Sequence, residues 1–339
     1  MITRWEVLAY SASLPAGRGY VLRIHDESGL IGHGEARALH GFGTGPVALG
    51  TFLSNPAAVQ SLVEHPEDDP EVPVEAKFAV ETAVLDLAAQ REGVSLVQQL
   101  GFTQPNALQN SLLVSDEAEA MHLFGRGHRN FKLKAQGAAK DTLDLLHRLF
   151  EAGGGTTNIR VDANGSWDRD TALSFLRQSR QDSICFVEQP FPVGDLDSCV
   201  WLRDRMPVPI ALDEGAVSTT AIGDAARCGA AQLIIIKPMY RGLHGALRLA
   251  AAAAEHGLGA CVTHAMDGTV GRLATMHVAA AVDAMCPESS WPHGLYAPGL
   301  THLADEPTLQ PDRLLMPVGA GLGLQKLRED ELTAVCSGP

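Results

Sequence analysis

The chain has 339 residues, 45% of them hydrophobic and 19% charged, and a formal net charge of −14. That length calls for a large barrel or two domains around ordinary globular cores. The acidic balance argues against a nucleic-acid surface, and no apolar run approaches the roughly 20 residues of a membrane span. Residues 1–6 lead into no apolar stretch of the kind a signal peptide needs, and the six cysteines are scattered without a C-x-x-C pair. They read as reduced core residues, so the expected location is cytoplasmic.

Residues 20–24 alternate as a strand should, Glu27-Ser28-Gly29 signals a turn, and 31–35 supply the next strand of a meander. Two glycine-rich stretches, 13–19 and 40–45, are candidate lid loops. Residues 46–63 are expected to be helical, and 65–73, proline-rich and acidic, to form a loop. Over 75–91, Phe78, Val80, Ala83, Val84, Leu87 and Ala88 recur at helical spacing, and Gly93 stops the helix. Gln104-Pro105 marks a boundary, which makes 1–105 an α+β domain.

From residue 106 short apolar strands alternate with helical patterns. The strand candidates are 108–114, 130–134, 158–163, 184–189, 209–213, 233–237 and 259–263, with helices such as 141–150, 170–178, 242–256 and 270–282 between them. This alternation predicts an α/β fold with parallel strands, and seven or eight such units close into a barrel over 106–297. An open doubly wound sheet is the alternative, but no G-x-G-x-x-G follows any strand. The irregular tail, 298–339, is expected to fold back onto the first domain.

Five of these strands end in a charged residue: Lys134, Asp162, Glu188, Asp213 and Lys237, at intervals of 28, 26, 25 and 24 residues. One such Asp is more often a helix N-cap. Five of them, one βα unit apart, place three carboxylates side by side at the barrel mouth with a lysine on either flank. Three clustered carboxylates repel, and a hard divalent cation resolves the repulsion; oxygen ligands suit Mg²⁺, with Mn²⁺ as a substitute. Lys132 and Lys134 share one side of their strand. A bare K-x-K pair is usually a solvated surface, but a neighbouring cation also lowers a lysine pKa and helps make a base. One lysine would then remove a proton alpha to a carboxylate, and the other would stabilise the resulting charge.

The segments FKLKA (131–135), RVDANGSW (160–167), CFVEQP (185–190), IALDEG (210–215) and IIIKP (234–238) resemble the enolase superfamily. The order of the lysines resembles its muconate-lactonizing branch. The resemblance implies a (β/α)7β TIM-like barrel with an α+β capping domain built from the N-terminus and the C-terminal tail. It implies Asp162, Glu188 and Asp213 as Mg²⁺ ligands, Lys134 as acid/base, Lys237 as the lysine opposite and Lys132 as the residue that tunes Lys134. Asn164 would be near the substrate or behind a ligand. The superfamily's lysine base and Mg²⁺-stabilised enediolate are established chemistry.

The mandelate-racemase branch needs an Asp after the sixth strand and a catalytic His after the seventh. Lys237 occupies the former position, so His264 is at most a substrate contact. Within the branch, Lys237-Pro238, and Gly34-Glu35-Ala36 with His40-Gly41-Phe42, resemble o-succinylbenzoate synthases. Asp267-Gly268-Thr269-Val270-Gly271 stands where the family often reads E-S-S-hydrophobic-G, and the glycine amides could bind an anion at the following helix N-terminus. The implied reaction is Mg²⁺-dependent dehydration of a cyclohexadiene carboxylate to o-succinylbenzoate, a menaquinone precursor. The near alternative is an N-acylamino-acid racemase or dipeptide epimerase; a metal-free Schiff-base aldolase on Lys237 is disfavoured by the three carboxylates. The expected partner is a small-molecule carboxylate, with no nucleic acid and no membrane. Oligomeric state is not legible.

Overall fold

A computed structural model describes residues 1–13, 16–41, 43–66, 70–135, 140–287, 291–296 and 303–339. The chain opens with three antiparallel strands, Ile2–Ser13, Ala16–Asp26 and Ile31–Ala36. Gly17 and Gly19, expected in a lid loop, pair with Ala12 and Tyr10 inside this long hairpin. Residues 14 and 15 at its tip lie outside the described residues. The expected helix over 46–63 is two helices, Pro46–Leu53 and Pro56–Glu64, because Asn55 accepts the amides of Ala57 and Ala58 and starts the second. The helix Val74–Glu92 ends at Gly93 in the left-handed conformation and packs on the sheet.

The second layer is a parallel barrel. Its seven strands, Leu112–Val114, Asn130–Lys134, Asn158–Asp162, Ile184–Glu188, Ile210–Leu212, Leu233–Ile236 and Gly259–Val262, pair in chain order. A helix follows each strand. Asp116, Asp168, Asp195 and Ser218 each accept the amide three residues on and so start four of these helices. Two residues close the ring: His293 bridges Asn110 beside the first strand, and Gly294 bridges Thr263 after the seventh. The result is a (β/α)7β barrel. Its eighth strand carries no apolar run and left no pattern in the sequence.

The expected strand 108–114 is split. Ala107–Gln109 pairs with Arg313–Leu315 in a small antiparallel sheet, and only Leu112–Val114 enters the barrel. Asn110 makes the break, its side-chain oxygen accepting the amides of Leu295 (2.9 Å) and Tyr296 (3.3 Å). At the far end of the tail, Thr333–Gly338 pairs with Ile2–Ser13 and completes a four-stranded sheet. The sequence-based boundary at 297–298 falls outside the described residues.

Strand alternation sorts the barrel residues. Phe131, Leu133, Ile159, Val161, Val187, Ile210, Leu212, Ile234, Ile236, Ala260 and Val262 join the large core under the helices, while Phe186, Ala211, Leu233, Ile235 and Cys261 form a separate inner cluster. The inner series therefore holds Lys132 and Lys134, Arg160 and Asp162, Phe186 and Glu188.

Two buried carboxylates of the N-terminal layer cap barrel helices. Glu81 accepts the amides of Leu243 (2.6 Å) and His244 (3.3 Å), at the start of Leu243–Glu255. Glu35 accepts the amides of Gly268 and, at 2.9 Å, Gly271, at the start of Thr269–Met285. Each places a negative charge where helix dipole and unpaired N–H groups favour one. Among the described residues no helix is long and apolar enough to cross a membrane. All six cysteines are free; Cys199, Cys261 and Cys286 are buried, but Cys228, expected in the core, is exposed.

Candidate active site

Parallel register aligns the charged strand ends. Lys134 stands opposite Asp162, and Asp162 opposite Glu188, while Lys132 stands opposite Arg160 one layer deeper. Asp213 and Lys237 directly follow the fifth and sixth strands. All three carboxylates are buried, Asp162 at 2%, Glu188 at 0% and Asp213 at 4% exposure. Asp162 borders a cavity of about 210 Å³ at the C-terminal mouth of the barrel, and Glu188 and Asp213 stand behind its lining. Lys132, Lys134, Asp162, Asn164, Lys237 and His264 all line it.

The ammonium of Lys132 sits 2.8 Å from Asp162 Oδ2 and 2.8 Å from Glu188 Oε1. Burial alone would lower its pKa, but Glu188 and Asp162 outweigh that and raise it, so Lys132 remains a cation. Its charge is balanced by these two carboxylates, which weakens the pull on Lys134 that the K-x-K spacing suggested. Arg160 Nη2 reaches the other oxygen of Glu188 at 3.1 Å. Burial pushes the Glu188 carboxyl up, yet Lys132 and Arg160 overcome this and hold it at about 2.

Asp213 differs. Lys237 forms an ion pair with its Oδ2. Burial, with Glu188 and Glu214 adding to it, nevertheless pushes its carboxyl up to about 7.

Local backbone geometry sets the ligand side chains. Asn164, at φ 45°, donates its amide to Asp162 Oδ1 at 2.9 Å. Gln189, at φ 38°, uses Oε1 to accept the amides of Asp213 and Gly215, both at 3.0 Å. Left-handed backbone at two non-glycine residues costs energy and persists where surrounding bonds impose it.

His264 Nδ1 accepts the amide of Met266 at 3.0 Å. Burial, with Arg272 and the nearby lysines, lowers its pKa to about 3, so the ring is neutral and carries its proton on Nε2. Asp267 and Gly268, expected at the substrate or behind the residues that touch it, stand outside the cavity lining. Asp267 is fully buried and accepts the amide of Ala265 (2.9 Å) and the hydroxyl of Thr275 (2.8 Å). The Gly268 amide does meet an anion, but that anion is Glu35 of the chain itself.

Arg160, Glu214 and Tyr240 went unnoticed in the sequence. Arg160-Val161-Asp162 repeats the spacing of Lys132-Leu133-Lys134, and that signal could have identified the arginine. The candidate lid at 40–45 is partly fixed: Thr44 donates its amide to Glu75 at 2.9 Å, and a Cβ on Gly43 would collide with Glu75. Leu39 contributes to the cavity wall; Phe42 lies outside the described residues.

The sequence profile described as Enolase C-terminal domain-like matches residues 114–330. The chain belongs to the enolase superfamily. It is similar to the chloromuconate cycloisomerase of Cupriavidus necator, 26% identical over 338 residues and covering 91% of this chain and 89% of that protein. Similarity to the L-Ala-D/L-Glu epimerase of Clostridium acetobutylicum is 29% over 218 residues, covering 61% of this chain and 60% of that one. The solved structure of the muconate lactonizing enzyme from Pseudomonas putida superposes with a TM-score of 0.78 at 26% identity, over 96% of this chain and 97% of that one.

Enolase-superfamily members generally use Mg²⁺. As the side chains stand, no three His, Cys, Asp or Glu among the described residues converge on one point. The expected side-by-side carboxylates are instead separated by ammonium groups, Lys132 between Asp162 and Glu188, and Lys237 on Asp213. The donor set still fits the ion: three buried carboxylates on successive strands supply oxygen ligands. Asp162, Glu188 and Asp213 are the residues that would hold it.

Proposed function

We propose that this enolase-superfamily enzyme is a Mg²⁺-dependent carbon–oxygen lyase that dehydrates a cyclohexadiene carboxylate bearing a succinyl side chain to o-succinylbenzoate. Bound at Asp162, Glu188 and Asp213, the ion would act as a Lewis acid that lowers the acidity barrier at the alpha carbon. Lys134 takes the alpha proton. Lys237, across the cavity and ion-paired, balances the negative charge that develops on the substrate carboxylate. Lys134 then delivers the proton to the departing hydroxide on the same face, and water leaves. Lys132 stays protonated and keeps Asp162 and Glu188 in place. His264 offers an Nε2–H donor to the substrate.

The observation that supports this reading is that Lys134 and Lys237 line the same cavity as Asp162, with Lys237 ion-paired to Asp213. The second reading, an N-acylamino-acid racemase or dipeptide epimerase, draws on the same two lysines and on the similarity to the L-Ala-D/L-Glu epimerase.

The test is a substrate panel with Mg²⁺: the cyclohexadiene substrate, N-succinylamino acids, dipeptides and cis,cis-muconate. The expected result is rapid formation of o-succinylbenzoate, lost with excess chelator and restored by Mg²⁺ or Mn²⁺. Fast racemisation, epimerisation or lactonisation without dehydration replaces the reading with the corresponding one. Full activity in excess chelator removes the metal from the account.

A further inference from the structure

Where the N-terminal strand Ile31–Ala36 ends, alternate residues turn to the barrel. Glu35 accepts the amides of Gly268 and Gly271, Arg37 donates from Nη1 to Met266 O, and Leu39 lines the active-site cavity. Glu35 is the helix cap described above. Arg37 has a different target, a carbonyl in the loop 263–268 that leads from the seventh barrel strand to Thr269–Met285. Its side chain is 1% exposed and among the largest that are fully buried. The N-terminal layer thus places a buried cation on one turn of the active-site wall, although Glu35 already caps the helix that follows.

That turn is strained. Met266 stands at φ 60°, left-handed backbone that a long side chain adopts only when its surroundings impose it. Hydrogen bonds on both sides do so. Asp267 Oδ1 accepts the amide of Ala265 at 2.9 Å, His264 Nδ1 accepts that of Met266 at 3.0 Å, and Arg37 holds Met266 O. Gly268 fits closely at the far end, where a Cβ would lie 2.7 Å from both Glu35 Oε1 and the Tyr10 hydroxyl.

Met266 and His264 both line the cavity. A ring nitrogen that accepts an amide carries no proton, so the bond from Met266 N places the imidazole proton on Nε2. The amide on His264 and the carbonyl on Arg37 lie on either side of Met266 Cα. The backbone angles of Met266 therefore link one bond to the other. We infer that Arg37 is a positioning residue of the active site: it holds the left-handed turn at Met266 and thereby keeps His264 as an Nε2–H donor in the cavity wall. It acts from the N-terminal layer, through one carbonyl, without touching the substrate. The inference rests on the reading of His264 as a donor to the substrate, and not on which carboxylate that substrate is.

The test is a cycle of Arg37→Met, which removes donor and charge, with Met266→Gly, which removes the penalty on left-handed backbone. The readout is the pair of His264 ring-nitrogen signals in long-range ¹H–¹⁵N spectra at pH 7, assigned by their absence in His264→Phe. Wild type should show one tautomer, with widely separated signals. Arg37→Met should draw the two signals together as the tautomers mix. In the Met266→Gly background the same change should leave them nearly where they were. Signals unmoved by Arg37→Met would make the arginine a tie between layers and overturn the assignment. Equal movement in both backgrounds would also overturn it, because the arginine would then act on the ring by charge. If Arg37→Met alone does not fold, Met266→Gly is compared with the double variant. Matching signals uphold the assignment; a shift between those two, or a double variant that does not fold, overturns it. Calorimetry with o-succinylbenzoate and Mg²⁺ separates this inference from the dehydratase reading. Arg37→Met and His264→Phe should each weaken binding about tenfold, the scale of one hydrogen bond. Unchanged binding in His264→Phe sinks the donor role of His264 and the positioning role with it. No binding by the wild type sinks the dehydratase reading, and the spectra alone then decide on Arg37.

Discussion

Lys132 ends up between two carboxylates because adjacent strands bring Asp162 and Glu188 to the same height and its side chain reaches them from one layer deeper. The lysines and carboxylates of the ladder were legible for that reason: strand period and βα spacing are both written in the sequence. The pairing of Lys132 was not, since spacing along one strand does not say which neighbour satisfies an ammonium. Away from the site, His277 gives a test at this scale. It is fully buried, accepts the Val97 amide at Nδ1 (3.3 Å) and donates from Nε2 to Leu322 O (3.3 Å). Burial lowers its pKa to about 4. In the unfolded chain its pKa is about 6.5, so between these values the unfolded state binds the extra proton, and stability falls as pH drops. The stability drop of the wild type from pH 7 to pH 5 should exceed that of His277→Gln by on the order of 2 kcal/mol, read by denaturant unfolding. Parallel curves for the two proteins would refute a neutral buried imidazole.

Among elements, the long periodic ones were readable: the helix Val74–Glu92 and the inner strands of the barrel follow their hydrophobic pattern closely. The failures have local causes. Asn110 uses its side chain to interrupt one apolar stretch, and the eighth strand is two residues held by its neighbours' backbone. At the seventh βα loop the anion on the glycine amides is internal. Glu35 accepts the Tyr10 hydroxyl at 2.7 Å as well as the Gly268 and Gly271 amides. Glu35→Ala leaves three buried donors unpaired, and each unpaired donor costs roughly 1–3 kcal/mol. The expected loss is about 3 kcal/mol or more, with Glu35→Gln milder because it keeps an acceptor. A denaturant midpoint for Glu35→Ala within experimental error of wild type would show that this junction contributes nothing.

For the whole molecule, the cap and the barrel share their polar groups. Glu81 and Glu35 terminate barrel helices, and Asp86 accepts the His33 amide and the Leu322 amide, both at 2.8 Å, joining sheet, helix and tail. The cavity draws on the same union, with Leu39 from the N-terminal layer and the rest of its lining from the barrel. The return of the tail was foreseeable from its irregular composition; its division between the base of the barrel and the N-terminal sheet was not, since short edge strands carry little pattern. In the proposed dehydratase Lys134 alone handles protons while Lys237 supplies charge. The measurement is o-succinylbenzoate formation, with deuterium uptake by both enantiomers of an N-succinylamino acid, in wild type, Lys134→Ala and Lys237→Arg. Arginine keeps the charge and stays protonated. Lys134→Ala should give no product, and Lys237→Arg measurable dehydration. Dehydration lost in Lys237→Arg, with exchange surviving in one enantiomer through Lys134, would contradict it and make the two lysines a pair of opposed bases.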